Sequence, residues 1–279
     1  MAEFTASDVA KLREMTGVGM MECKKAMVEA NGNLEVAVEI LRKKGKAGAD
    51  TKSQKEAREG LICAHVVPGG KLGVLVEINC QTDFVARNDD FKAFAEDVAK
   101  AYAASPSVDL EGRRTEMVAK IGENIRLARN SRLEVKGAGQ VAAYIHTGAK
   151  VGVLVEVSCS KDETTTKDEF KQLVKDITLQ IAAAHPIAVS REQVDAKVVE
   201  KEREIAAEQF KNKPAQAIAK IVEGKLNSFF QTVCLVDQGF VKDPEKTVGA
   251  YMGEVGKKLG DEIKVNRFLR FQVGEAVAS

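Results

Sequence analysis

Apolar residues recur at helical spacing along the first 45 residues and turn into strand-like runs from Gly60. Thr5 with Asp8 resembles a capping box, with Asp in place of the usual Glu or Gln. Val9, Leu12 and Arg13 lead into Met15-Thr16-Gly17-Val18-Gly19, which reads as a helix stop and turn. Met20, Cys23, Lys24 and Met27 give a second helix. Asn31-Gly32-Asn33 breaks and re-caps the chain, and Leu34, Ala37, Val38 and Leu41 form the stripe of a third. Residues 1–45 are thus expected to form a three-helix module. The lysine-rich stretch 46–59 shows no apolar periodicity and reads as a linker, helical at most in its Gln54–Glu59 half.

Leu61–Val67, the Pro68-Gly69-Gly70 turn and Leu72–Cys80 predict a β-hairpin. A helix follows from Asp89-Asp90, with Phe91, Phe94, Ala95, Val98 and Tyr102 on one face. This unit recurs. Gly73-Val74-Leu75-Val76-Glu77-Ile78-Asn79-Cys80 matches Gly152-Val153-Leu154-Val155-Glu156-Val157-Ser158-Cys159, and Asp90-Phe91-Lys92 matches Glu169-Phe170-Lys171. Val98 corresponds to Ile177. Between the copies, Glu116–Leu127 reads as a helix turning into a strand through Lys120-Ile121-Gly122-Glu123-Asn124-Ile125.

After the second copy, Val194, Val198, Ile205 and Phe210 suggest one long charged helix. Pro214 suits the first turn of the next, whose stripe is Ile218, Ile221, Val222 and Leu226. The two read as an antiparallel helical hairpin, a coiled coil projecting from the body. Phe229–Val236 and Asn266–Val273 read as strands completing the second repeat's sheet. The expected class is α+β. It has a helical module (1–45), a linker (46–59), a core subdomain N (60–138) and a core subdomain C (139–187 and 228–279) carrying an inserted hairpin (188–227).

The net charge of +1 offers no bulk attraction for nucleic acid or membrane, so no direct nucleic-acid binding is expected. No run approaches transmembrane length, and the polar start Met1-Ala2-Glu3-Phe4-Thr5 has no basic-then-apolar leader, which predicts a cytoplasmic protein. The five cysteines are scattered and form no Cys-x-x-Cys pair, as in a reducing compartment. With His65, His146 and His185 also unpaired, no metal site or cofactor is expected.

Gly70-Lys71 and Gly256-Lys257 do not fit a phosphate-binding loop, because neither lysine precedes a hydroxyl residue. Cys80 and Cys159 occupy the same strand position, and a packing role explains both at once. No hydrolase or transferase constellation emerges, and the chain does not read as an enzyme. A rival reading places catalysis on Cys80 or a histidine. Met20 and Met21 are adjacent, so at most one points into the helical core, leaving the other as a flexible apolar contact.

Thr82-Asp83-Phe84-Val85 lies between strand and helix, where a large aromatic is either folded back on its own helix or offered to a partner. The second copy reads Lys161-Asp162-Glu163-Thr164 and lacks the aromatic. The repeat therefore separates what the fold needs from what only the first turn carries.

Three long motifs, in order, resemble the bacterial translation elongation factor Ts family. They are Leu12–Ala26, Glu77-Ile78-Asn79-Cys80-Gln81-Thr82-Asp83-Phe84-Val85-Ala86 and Lys120–Ile125. The resemblance covers nearly the whole chain. It implies a guanine-nucleotide exchange factor that binds elongation factor Tu, GDP-bound and nucleotide-free, with a ubiquitin-associated-like (UBA-like) amino-terminal module and two related subdomains. It further implies that Thr82, Asp83, Phe84 and Val85 enter the GTPase and help dislodge its magnesium ion. Arg13, Met20, Met21 and Lys24 would contact the same partner. His146, in Tyr144-Ile145-His146-Thr147-Gly148, is similar to a second-subdomain contact, with Thr147 interposed before the glycine. The carboxy-terminal helical module of some members is not expected. The hairpin would either support a dimer of the binary complex or brace the GTPase. An alternative of another class is an RNA-associated translation protein acting through the basic linker and the charged hairpin.

Overall fold

The computed structural model describes residues 4–275. Three helices open the chain: α1 (Ala6–Thr16), α2 (Met20–Glu29) and α3 (Leu34–Lys52). Thr5 and Asp8 form the expected capping box, and Asn33 caps α3 through Val36 N–H. Gly17 ends α1 at φ 68°, a left-handed conformation that favours glycine. Leu12, Cys23, Ala26, Met27, Ala37 and Leu41 form the buried core of this module.

The linker expectation needs correction. Helix α3 continues to Lys52, and residues 54–58, expected to hold any helix, are non-helical. The reason is packing by small residues. A β-carbon on Gly45 would lie 3.2 Å from Ala119 Cβ, and Ala49 is buried in the first repeat's core. Glycine and alanine permit this close approach without leaving an apolar stripe to read in the sequence.

Each repeat begins with a hairpin: β1 (Glu59–Val66) with β2 (Leu72–Cys80), and β4 (Gly139–Ile145) with β5 (Val151–Cys159). The first continues into a short helix α4 (Asp83–Arg87) and then α5 (Asp89–Ala104). The second continues through a 3₁₀ turn (Asp162–Thr166) into α7 (Asp168–Ala184). A third antiparallel strand completes each sheet, β3 (Arg126–Glu134) beside β2 and β8 (Ile263–Gln272) beside β5. Both pairings shift register at the same step, Glu77/Ile78 and Glu156/Val157.

The duplication is longer than the sequence reading found. Helix α6 (Glu111–Ile121) precedes β3 as α10 (Val248–Leu259) precedes β8. Lys120-Ile121-Gly122-Glu123-Asn124-Ile125 corresponds to Lys258-Leu259-Gly260-Asp261-Glu262-Ile263, with both glycines in the left-handed conformation and both isoleucines buried. Between α7 and α10 the second repeat carries an insertion: α8 (Ala196–Gln209), α9 (Ala215–Val233) and the two-stranded β6 (Gly239–Phe240) and β7 (Asp243–Thr247).

Helices α8 and α9 pack on each other through Ala206, Val222 and Leu226. Val194 precedes α8, and Pro214 sits at the N-cap of α9. Asn266–Val273 falls within β8 apart from its last residue, as expected. Phe229–Val236 does not form the predicted strand, since α9 runs through Val233 and the residues after it make a short parallel bridge, with Leu235 N–H donating to Ala188 O and Val236 N–H to Val189 O. The aromatic and β-branched residues that suggested a strand instead seat the helix base on Ala188, Val194 and Cys234.

The two sheets lie face to face between helical layers. Ile62, Leu75, Leu133, Val141, Leu154 and Phe271 form the core between them. Phe91 and Phe170, equivalent and both fully buried, fasten α5 and α7 to the outer faces. This explains why β2 is buried along its whole length.

Candidate functional site

The turn after β2 is built from its caps. Thr82 is the N-cap of α4, and its hydroxyl accepts the Val85 N–H at 3.3 Å. Asn88 closes α4 and opens α5, its Oδ1 accepting from Asp90 N–H at 2.8 Å and Phe91 N–H at 3.3 Å. Ala86 points inward and is buried, and Val85 packs partly against the first repeat's core. Those contacts set the rotation of α4 and send Phe84 outward, 80% exposed. Leaving such a side chain in water forgoes about 1.5–3 kcal/mol relative to burial. Asp83 pairs with Arg87 one turn on, at 2.9 Å, an exposed pair worth little by itself.

Glu123, which no local sequence pattern links to this turn, secures it. Glu123 Oε2 accepts the backbone N–H groups of Gln81 and Thr82, both at 3.1 Å, and Oε1 accepts the Thr82 hydroxyl at 2.8 Å. Its neighbours are occupied too. Lys120 pairs with Asp90 at 2.8 Å, Asn124 donates to Lys55 O at 2.6 Å, and Ile125 is buried.

The second repeat also holds its turn with a carboxylate, without the aromatic and without a side-chain cap at Lys161. Asp261 accepts the N–H groups of Ser160 and Lys161 at 2.9 and 3.1 Å and the Thr164 hydroxyl at 2.5 Å. The Thr164 hydroxyl, with help from the Ser160 N–H, holds the Asp261 carboxyl down at about 2. Thr164 is buried and Glu163, at the position matching Phe84, is exposed. The exposure of Phe84 shows that the ring does not fold back on its own helix, and the second repeat forms its turn with Glu163 in that place.

The residues expected on the helical module are all exposed. Arg13 lies on α1, and Met20, Met21 and Lys24 lie on α2. Neither adjacent methionine enters the core, which Cys23, Ala26 and Met27 fill. Met21, Lys24 and Val28 border one shallow depression on α2. Among the described residues, Arg13 and Lys24 make no ion pair. A groove of about 590 Å³ separates this module from α6, with Met15, Val18, Leu41 and Ala119 in its walls. His146 is exposed in the turn between β4 and β5, its Nδ1 3.0 Å from the Tyr144 hydroxyl.

Cys80 is fully buried, its Sγ donates to Thr82 O at 3.2 Å, and burial pushes its thiol up to about 12. Cys159 repeats this contact with Lys161 O at 3.2 Å, and burial raises its thiol too. The symmetry matches the packing role read from the sequence. Among the described residues, no three His, Cys, Asp or Glu side chains converge as a metal site, and no helix is long and apolar enough to cross a membrane.

Fold and site together define a duplicated α+β protein that displays one aromatic side chain on a clamped turn. The family model described as "Elongation factor TS" matches residues 81–275. The chain is 45% identical to elongation factor Ts of Symbiobacterium thermophilum over 286 residues, covering 99% of this chain and 94% of the relative. The protein of that name from Methylococcus capsulatus is 45% identical over 289 residues, covering 98% and 93%. That of Clostridium botulinum strain Alaska E43 is 40% identical over 289 residues, covering 98% and 94%. The chain belongs to the elongation factor Ts family.

Proposed function

We propose that this chain is a guanine-nucleotide exchange factor for elongation factor Tu, with Phe84 as the wedge that loosens the partner's magnesium ion and so releases GDP. The observation that carries this reading is Phe84 itself, 80% exposed on a helix capped by Thr82, in the one copy of the duplicated turn that has an aromatic. Such a factor needs no catalytic acid or base. It needs to bind nucleotide-free GTPase more tightly than the GDP-bound form, and by linkage GDP weakens the factor's binding by the same ratio. Loss of the magnesium ion removes a large charge that neutralises the phosphates, and GDP leaves faster.

A phenyl ring suits the task because it carries a large apolar area on only two side-chain torsions. In this reading Asp83 hydrogen-bonds partner backbone, and Thr82 and Val85 keep the turn rigid. Arg13, Met20, Met21 and Lys24 form a second contact and His146 a third. The hairpin of α8 and α9 braces the GTPase or joins two binary complexes. The RNA-associated alternative loses ground. Residues 46–52 of the basic linker are ordered as the end of α3, and Arg58 is paired with Glu56.

The test is stopped-flow release of a fluorescent GDP analogue from elongation factor Tu. Phe84→Ala is expected to lose most of the acceleration while remaining folded by circular dichroism. Near-wild-type acceleration would remove Phe84 from the mechanism.

A further inference from the structure

We propose that Glu123 is the positioning residue of the exchange site, holding the turn that presents Phe84 without touching the partner itself. The inference rests on the exchange reading above and names what makes its wedge rigid. Three donors converge on one carboxylate: two successive backbone N–H groups, from Gln81 and Thr82, and the Thr82 hydroxyl. A charged acceptor strengthens each bond relative to a neutral one. The same Thr82 hydroxyl accepts from Val85 N–H, so the chain of contacts runs from Glu123 through Thr82 into the backbone of α4. A helix of five residues has little stability of its own. Its orientation therefore depends on its caps, and Glu123 holds the cap.

The base of the clamp is itself fixed. Gly122 ends α6 and turns the chain sharply, Asn124 ties into the segment after α3, and Ile125 is fully buried. Glu123 stands between these anchors, half-buried, with its two oxygens turned to the loop after β2. A ring meant to enter a partner loses binding energy to every conformation the turn must give up on docking. A turn clamped before docking has fewer to give up.

The second repeat shows what the clamp does without a wedge. Asp261 accepts the two equivalent backbone N–H groups, from Ser160 and Lys161, but takes its hydroxyl from Thr164, the residue matching Val85, and the turn it holds carries Glu163 in place of Phe84. A carboxylate at this place is thus part of the fold in both copies. Only in the first is it coupled to a displayed aromatic.

The test measures GDP release from elongation factor Tu with catalytic amounts of the chain at rising concentrations of the GDP complex. Turnover at saturation is thereby separated from the half-saturating concentration. Glu123→Ala is expected to lower turnover between about 10- and 100-fold. Glu123→Gln, which keeps shape and one acceptor oxygen, is expected to fall between alanine and wild type and guards against a variant that does not fold. In the Phe84→Ala background, Glu123→Ala is expected to add almost nothing, because the two act as one unit. Asp261→Asn is expected to leave turnover unchanged. Unchanged turnover in Glu123→Ala would overturn the proposal. So would a Glu123→Ala effect that multiplies in full with that of Phe84→Ala, since it would then act elsewhere in the fold. A wild-type chain that fails to accelerate GDP release overturns the exchange reading instead, and this inference with it.

Discussion

Leu154 of the second repeat fills the notch left by Gly73 of the first, its Cδ1 2.8 Å from where a β-carbon would stand. The repeat returns the contact: Leu75 Cδ1 lies 3.1 Å from the same point on Gly152. The two sheets close on each other through this exchange of leucine and glycine. A methyl at Gly73 would also meet Val141 Cγ1 at 2.7 Å, and one at Gly152 would meet Ile62 Cγ2 at 2.4 Å. Both are methyls on the β-carbons of buried, β-branched side chains, so they yield only by a strained χ1 or a shift of backbone. Gly73→Ala and Gly152→Ala are each expected to cost about 1–3 kcal/mol, with Gly152→Ala the larger. Urea unfolding followed by circular dichroism measures both, and wild-type midpoints would show that the seam yields freely.

Gly17 and Lys120 join the helical module to the core in a similar way. A β-carbon at Gly17 would lie 3.0 Å from Lys120 Cε, while Lys120 Nζ is engaged by Asp90. Gly17→Ala adds a left-handed alanine, costing about 1–2 kcal/mol, to that steric conflict. The expected result is faster hydrogen exchange along α1 with no change along β2. Equal acceleration in both would mean that module and core unfold as one unit.

Much of this architecture is legible where apolar periodicity or a cap carries it. The matched runs at Gly73–Cys80 and Gly152–Cys159 announce the duplicated hairpin, and Thr5, Asn33 and Gly17 mark helix ends that the structure keeps. The readings fail where contacts are made by small residues or across long separations. Gly45 and Ala49 extend α3 against α6 with no apolar stripe to reveal it. Phe229, Phe230 and Val233 look like a strand because their composition is that of a strand, yet they pack as the base of a helix. Residues 258–263 echo 120–125 in plain sight, but the insertion separates them from the rest of their repeat. At the site, Phe84 stands out because its copy lacks it. Glu123 does not, since nothing local shows that it reaches back to Gln81 and Thr82.

The cysteines should divide by burial. Cys80 and Cys234 are fully buried, and burial pushes their thiols up to about 12 and about 11. Thiolate is the reactive form, so at about pH 8 both are expected to resist alkylation in the native chain and to react fully after unfolding. Peptide mapping after a short iodoacetamide pulse measures this. Rapid native labelling of Cys80 would show that the strand end before Thr82 opens, contrary to a clamped turn.

Acid should reach the second repeat through Asp261. Its carboxyl is held at about 2, against an ordinary 3.8, first by the Thr164 hydroxyl and then by the Ser160 N–H. A carboxyl whose value is depressed by folding contributes stability above its unfolded value, and loses that contribution as pH falls through its folded one. Part of the wild type's stability should therefore disappear between about pH 4 and pH 2. Asp261→Asn keeps an acceptor oxygen near Thr164 but cannot take up the proton. It is expected to be less stable than wild type at neutral pH, with the difference narrowing as the pH approaches 2. Urea midpoints for both proteins across this range measure the gap. A gap that stays constant down to the lowest pH would show that the Asp261 charge contributes nothing to holding the Ser160–Thr164 turn.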